Sequence, residues 1–132
     1  RRAGFANIEI DAENAAELEA LRLRLAQRLE MPVLLGYGPR YLHSIGQLYK
    51  GGPASGLFVI ITSRKAEELP IPGAPYTFAQ LQMAQALGDM QCLAQRNRPA
   101  VRLHLGLGAR AGLAALRVIF EQTLATPSGP AR

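Results

Sequence analysis

The segment from residue 36 to 53, GYGPRYLHSIGQLYKGGP, contains the residues whose types and spacing best suit chemistry. Its polar members recur at spacings of three, four and three: Arg40, His43, Gln47 and Lys50. At 100° per residue, these side chains fall within roughly 80° of arc on one helical face. Two cations and two neutral hydrogen-bonding groups in so small a patch favour a site for a phosphorylated or oxyanionic small molecule. A solvated amphipathic face would show the same pattern, so both interpretations stay open.

Apolar residues fill the opposite side of this segment: Tyr41, Leu42, Ile45, Leu48 and Tyr49. The spacing therefore predicts one short helix with an apolar back against a core and a polar front towards a ligand. Pro39 suits the first turn of that helix, and Gly51-Gly52-Pro53 would end it.

Composition limits the class of protein. A chain of 132 residues with 48% hydrophobic and 19% charged residues fits one soluble globular domain. No apolar run reaches the 18 or so residues of a membrane span, and the first residues do not resemble a signal peptide. The single cysteine, Cys92, excludes an internal disulfide and fits a reducing cytoplasm, where we expect this protein. One cysteine and two separated histidines predict no metal site.

The net charge of +5 and the pI near 10.0 favour an anionic partner. Nucleic acid is one such partner, but the Lys and Arg residues are scattered and aromatic residues make up only 6% of the chain. A small anionic metabolite agrees equally well with the composition and better with the 36–53 segment. We therefore expect neither a nucleic acid nor a membrane as the partner.

Strand and helix patterns alternate four times along the chain. The predicted strands are Phe5 to Ile10, Val33 to Leu35, Leu57 to Thr62 and Ala100 to Leu105. The predicted helices are a helix capped by Asp11 and ending near Glu30, the 36–53 helix, a helix from the capping box at Thr77 to about Asn97, and a helix from Ala109 to Leu124. This order predicts an α/β fold with a three-layer parallel sheet of about four strands and helices on both faces.

One α/β domain should span residues 1–126, with a disordered tail at 127–132. A Pro-rich surface excursion, ELPIPGAPYTF, separates the third strand from the third helix. Ligands of such sheets bind beyond the carboxyl ends of the strands, where the 36–53 helix begins. His104 in the last strand and Cys92 in the third helix are expected to be structural.

The 36–53 segment resembles the GYGPRFLHSTGQLHKGGP stretch of bacterial glucose-6-phosphate isomerases, in particular those fused behind a transaldolase. The match continues through LFVIIT, LPIPGAPYTF and AQALGDMQCL and covers most of residues 32 to 105. The resemblance implies a partial sugar-isomerase-like fold and the interconversion of glucose 6-phosphate and fructose 6-phosphate through an enediol. It also implies that the chain is the C-terminal portion of a larger isomerase, with no metal or organic cofactor.

The resemblance also implies roles for individual residues. Isomerases of this family have a late signature, Phe-Asp-Gln-x-Gly-Val-Glu-x-x-Lys, which aligns without gaps when Tyr41 takes the Phe position. Lys50 then aligns with the lysine that acts on the sugar ring, and His43 is the second catalytic candidate. The implied substrate-binding residues are Arg40, Ser44, Gln47 and Gly51.

The sequence departs from these patterns at several positions. Leu42 replaces the Asp of the signature, and Ile45-Gly46 replaces its Gly-Val pair. Relative to the fused subfamily, Ile45 replaces a Thr and Tyr49 replaces a His.

The implied reaction needs a base that moves a proton between C1 and C2. The family's glutamate base and phosphate-binding loops belong to earlier segments, which the resemblance assigns to the remainder of the parent chain. Glu67 and Glu68 are the weaker candidates for a base within this sequence. The implied partners are a sugar phosphate and the rest of the parent, and a homodimer is left open. A non-catalytic sugar-phosphate-binding module and a basic nucleic-acid-binding domain are the alternatives.

Overall fold

Four strands form one parallel sheet in the order β2-β1-β3-β4. The structure, a computed structural model, describes residues 2–7, 12–64 and 68–125. The strands are β1 (Arg2–Asn7), β2 (Val33–Tyr37), β3 (Phe58–Arg64) and β4 (Ala100–Leu107). The helices are α1 (Ala12–Leu29), α2 (Gly46–Gly51), α3 (Phe78–Gln95) and α4 (Ala109–Ala125), with a 3₁₀ turn at Arg40–His43. The predicted parallel α/β fold is confirmed.

β1 lies inside the sheet, paired with β2 on one side and with β3 on the other. Ala3 is opposite Leu34 in β2 and Phe58 in β3. The strand begins three residues earlier than the predicted Phe5, and the predicted strand residues 8–10 lie outside the described ranges. The predicted cap Asp11 and the predicted tail at 127–132 also lie outside them.

The sheet separates two hydrophobic clusters, because the side chains of a strand alternate between its faces. Phe58 and Ile60 of β3 belong to the first cluster, whereas Ile61 belongs to the second. The other buried members of the first cluster come from the 3₁₀ turn, α2 and α3: Tyr41, Tyr49, Ala86 and Leu93. The other buried members of the second come from α1, β4 and α4: Leu18, Leu21, Leu105, Leu113 and Leu116. Helices thus pack on both faces.

Local sequence signals account for the helix ends. The Thr77 side chain accepts a hydrogen bond from the Gln80 backbone N–H at 3.2 Å, and the Gln80 side chain accepts one from the Thr77 N–H at 2.9 Å. This reciprocal pair confirms the predicted capping box at the start of α3. α1 ends three residues before Pro32, and the next residue, Glu30, turns into the left-handed region with φ of 50°. None of the described helices is long and apolar enough to cross a bilayer.

The Pro-rich segment between β3 and α3 forms the predicted surface excursion. An isolated antiparallel bridge joins Pro70 to Thr77, and the Phe78 backbone N–H donates to the Leu69 carbonyl at 3.0 Å. Gly73 forms the turn between them with φ of 76°, a conformation that favours glycine. The two ends of the excursion therefore meet, although its Leu69 and Tyr76 side chains are exposed.

We expect β3 to be the slowest strand in amide hydrogen exchange. It lies between β1 and β4, and its residues from Phe58 to Ser63 are buried or half-buried, whereas Leu57 of the predicted strand lies outside it and is exposed. Amides of a central, covered strand open only with the whole domain. Exchange measured by NMR should be slower across residues 58–61 than across the edge strand β2. Equal or faster exchange in β3 would contradict this arrangement.

Candidate functional site

The 36–53 segment is not the single helix that its spacing predicts. The 3₁₀ turn ends at His43, Ser44 leaves helical geometry (φ −129°, ψ −93°), and α2 begins at Gly46. The reason is local, because the Tyr41 carbonyl accepts both the Ser44 backbone N–H (3.1 Å) and the Ser44 hydroxyl (3.2 Å). Bonds to the residue three positions earlier tighten the chain into a 3₁₀ turn and stop an α-helix there.

This break changes which apolar side chains reach the core. Tyr41 and Tyr49 are buried, as predicted. Leu48 is 61% exposed and Ile45 is 36% exposed, so the predicted continuous apolar back is wrong at these two positions. The side chains of residues 36–53 therefore cannot be assigned to the faces of one continuous helix.

The candidate polar residues also divide into two groups. Arg40, His43, Ser44, Gln47 and Gly51 are exposed. Lys50 instead points inward, with 19% of its side chain accessible. Among the described residues, no hydrogen bond or ion pair joins Lys50 to Arg40, His43 or Gln47. The predicted common polar front is therefore wrong for Lys50.

Lys50 is held by a buried carboxylate that is not among the residues predicted for the site. Its ammonium Nζ lies 2.5 Å from Asp89 Oδ1, and the Asp89 side chain is only 8% accessible. The Tyr41 hydroxyl donates to the other oxygen of Asp89, Oδ2. Burial, with a smaller contribution from this hydrogen bond and the Asp89 charge, raises the pKa of Tyr41 far above its usual value. The three side chains form a charged cluster, here called the Lys50 cluster, between α2, the 3₁₀ turn and α3.

A signal for Asp89 is present in the sequence. Asp89 interrupts the apolar stretch AQALGDMQCL of α3, three residues after Ala86 and four before Leu93, both of which are buried. Residues at these spacings share one helical face. An ionisable residue on the core face of a helix requires a partner of opposite charge, which identifies it as a candidate site residue.

Two arginines bind the backbone at the end of α2. Arg96 and Arg98 each donate to the Lys50 carbonyl at 3.4 Å, and Arg98 also donates to the Gly52 carbonyl. Guanidinium groups stabilise the free carbonyls at a helix C-terminus. Both arginines immediately precede β4, so the backbone of Lys50 lies near the amino end of that strand. The 3₁₀ turn of the segment begins after the carboxyl end of β2, as predicted, whereas the end of α2 lies near the start of β4.

We expect Gly52→Ala to lower the free energy of unfolding by about 1–3 kcal/mol. A Cβ at Gly52 would lie 2.5 Å from the Leu48 carbonyl oxygen and 3.0 Å from Leu48 Cδ1. A Cβ at the neighbouring Gly51 would meet nothing within 4 Å. Gly51→Ala is therefore the matched control, and should be neutral or stabilising by up to roughly 1 kcal/mol. Chemical denaturation of both variants tests this, and equal stabilities would contradict the close approach at Gly52.

The remaining candidates fall outside the Lys50 cluster. Glu68 is exposed, and Glu67 lies outside the described residues. Cys92 is half-buried in α3. Within the described ranges, no group of three His, Cys, Asp or Glu side chains is placed to hold a metal ion.

Known proteins resemble this chain in fold and not in sequence. The chain matches no family model and no curated protein sequence. It is similar in structure to a hypothetical protein from Thermus thermophilus, with a TM-score of 0.67 and 17% sequence identity. That match covers 93% of this chain and 35% of the Thermus protein, so the chain spans about a third of its length. A de novo designed Rossmann fold protein matches with a TM-score of 0.45 and 8% identity, over 90% of this chain and 97% of the design. At 17% sequence identity, the structural similarity to the Thermus protein shows the fold alone.

Proposed function

We propose that this chain is the C-terminal portion of a glucose-6-phosphate isomerase of the transaldolase-fused kind. The observation that supports this most directly is the Lys50 cluster. In this cluster, an ion pair with Asp89 holds the side chain of Lys50, the lysine that aligns with the catalytic lysine of the resembling motif. The Lys50 side chain is 19% accessible, and its Nζ is paired at 2.5 Å with the buried carboxylate of Asp89. A lysine held in this way has its ammonium group positioned to react with a bound molecule, whereas a surface lysine samples many rotamers.

In the proposed reaction, Lys50 assists opening of the sugar ring. Its ammonium can donate a proton to the ring oxygen as the bond from that oxygen to C1 breaks, while the C1 hydroxyl loses its proton to water and becomes the carbonyl. Asp89 holds the ammonium in position, and Tyr41 in turn fixes the second oxygen of Asp89. His43, Arg40, Ser44, Gln47 and Gly51 are proposed to line the exposed side of the site, and their accessibility agrees with this role.

The base for the proton transfer between C1 and C2 is proposed to come from the remainder of the parent chain. Asp89 is buried and already engaged by Lys50 and Tyr41, so it is poorly placed to accept a proton from a substrate carbon. The proposal includes a three-layer, sugar-isomerase-like arrangement for the parent, a cytoplasmic location and a sugar phosphate as substrate. A homodimer is compatible with it.

A coupled isomerase assay on the 132-residue chain and on its parent polypeptide tests this function. We expect turnover of glucose 6-phosphate by the parent and none by the isolated chain, which lacks an identified base and the phosphate loops. An NMR titration of the chain should give weak shifts around residues 36–53 and Asp89, with an affinity of roughly millimolar or weaker. Turnover by the isolated chain near that of an intact isomerase would overturn the assignment of this chain as a fragment. An inactive parent would overturn the assignment of isomerase activity.

A non-catalytic sugar-phosphate-binding module is the second candidate. The specific observation in its favour is the ion pair between Lys50 and Asp89. Because Asp89 already stabilises the ammonium, Lys50 can have a structural role without taking part in a reaction. The same assay separates the two functions. A parent that binds sugar phosphate and does not isomerise it is the result that this second candidate expects.

A further inference from the structure

A second group of polar side chains lies on the α3 side of β3 and β4, apart from the Lys50 cluster. Its centre is Thr62 of β3, which is 0% exposed. His104 Nδ1 lies 3.0 Å from the Thr62 hydroxyl oxygen, and Arg102 Nη1 donates to the same oxygen at 3.3 Å. Both partners are exposed residues of β4. A fully buried hydroxyl therefore orients two accessible side chains that can bear positive charge.

The hydrogen-bond directions leave a donor on the imidazole. Arg102 can only donate, so the Thr62 hydroxyl accepts from it and is free to donate its own proton to His104 Nδ1. A neutral imidazole that accepts at Nδ1 has its proton on Nε2. In both the neutral and the protonated state, His104 then offers an Nε2–H donor.

His104 opens onto a cleft of about 280 Å³ beside the first turns of α3. Arg64 and Gln80 also line this cleft, together with the Glu68 carboxylate. The Gln80 side-chain oxygen is occupied by the Thr77 N–H, so its NH₂ group is the part that can bind a ligand. Among the described residues, no ion pair joins a carboxylate to Arg64 or Arg102. Within the part of the chain that the structure describes, donors and positive charge therefore exceed acceptors in and beside the cleft.

We infer that this cleft binds the phosphate group of a small phosphate monoester. Arg102 and Arg64 would supply the charge, and His104 Nε2 and the Gln80 amide would supply neutral donors. Charge-assisted hydrogen bonds of this kind are the strong ones in phosphate recognition. The site lies towards the carboxyl ends of β3 and β4, which is where parallel α/β sheets bind ligands. None of its residues belongs to the Lys50 cluster, so the inference does not depend on the isomerase proposal.

The competing explanation is that Thr62, His104 and Arg102 only stabilise the sheet. That role would be served by an apolar, β-branched residue at the Thr62 position, in keeping with the apolar run that precedes it in β3. Thr62→Val therefore distinguishes the two roles, because it keeps the shape of the side chain and removes only the hydroxyl that orients His104 and Arg102.

Titration of the 132-residue chain with inorganic phosphate, followed by amide NMR at constant ionic strength, tests the inference. We expect saturable shifts at residues 63–64, 79–83 and 102–104. Arg102→Gln and His104→Gln should each weaken the affinity by about tenfold. Arg117→Gln removes an exposed arginine of α4, on the other face of the sheet, and should leave the affinity unchanged.

Thr62→Val should retain the dispersed spectrum of a folded chain and weaken phosphate binding several-fold. Three results would each overturn the site: no saturable shift in the wild-type chain, shifts of equal size around Arg117, or an unchanged affinity in Arg102→Gln. If Thr62→Val disturbs the fold, the two surface variants Arg102→Gln and His104→Gln decide alone, since both change exposed side chains.

Discussion

Asp89→Ala is expected to lower the free energy of unfolding by about 3–5 kcal/mol, which is a large share of the stability of a domain this size. The change leaves the Lys50 ammonium, with 19% of its side chain accessible, beside a cavity with no carboxylate. It also removes the acceptor of the buried Tyr41 hydroxyl. Removing one partner of a buried ion pair costs the full desolvation of the other. Urea denaturation followed by circular dichroism measures the loss.

Two controls separate burial from charge. Glu121→Ala breaks the ion pair with Arg24, in which the Arg24 and Glu121 side chains are 57% and 47% accessible, and should cost less than about 1 kcal/mol. The double variant Lys50→Met with Asp89→Leu removes both charges and should recover much of the stability lost in Asp89→Ala. If Asp89→Ala and Glu121→Ala cost the same, Asp89 is not the buried partner that the structure shows.

Lys50→Met in the proposed parent isomerase is expected to lower turnover at least about tenfold, and by roughly 10²-fold or more if Lys50 is the proton donor. The fold must be monitored in the same experiment, because the variant leaves Asp89 with a buried, unpaired charge. An unfolding effect is therefore expected from the structure, whereas the exposed polar front predicted from the sequence implied none. Turnover should be measured at a temperature at which denaturation curves show the variant to be folded.

Lys50→Arg supplies the matched control for charge. A guanidinium keeps the pair with Asp89 and much of the stability, but it does not readily give up a proton and differs in reach. We expect folded protein with turnover well below the wild-type rate. Wild-type turnover in folded Lys50→Met would remove Lys50 from the proposed chemistry.

The elements that the sequence predicted well are those set by local rules. The apolar run of β3, the capping box at Thr77 and the glycine-rich end of α2 each depend on residues within a few positions of one another. Four alternating strands and helices then leave few arrangements for a parallel sheet. For these features, short-range spacing was sufficient information.

The candidate site was predicted less well, because its decisive contacts are not local. Asp89 meets Tyr41 across 48 positions of sequence, and helical spacing within residues 36–53 contains no information about that partner. The helix break at Ser44 was missed for a different reason. A serine side chain that binds the Tyr41 carbonyl competes with the helical pattern, and residue periodicity alone does not register this competition.

The interior position of β1 has a consequence for how the chain folds. Its neighbour β3 lies about 55 residues further along the chain, as the pairing of Ala3 with Phe58 shows. Such distant pairing raises the contact order, so the sheet should assemble slowly. Until β1 has paired with both neighbours, an edge that faces it presents unpaired backbone groups that can template aggregation. A chain that loses its first seven residues therefore opens the sheet at its middle and should accumulate as aggregates.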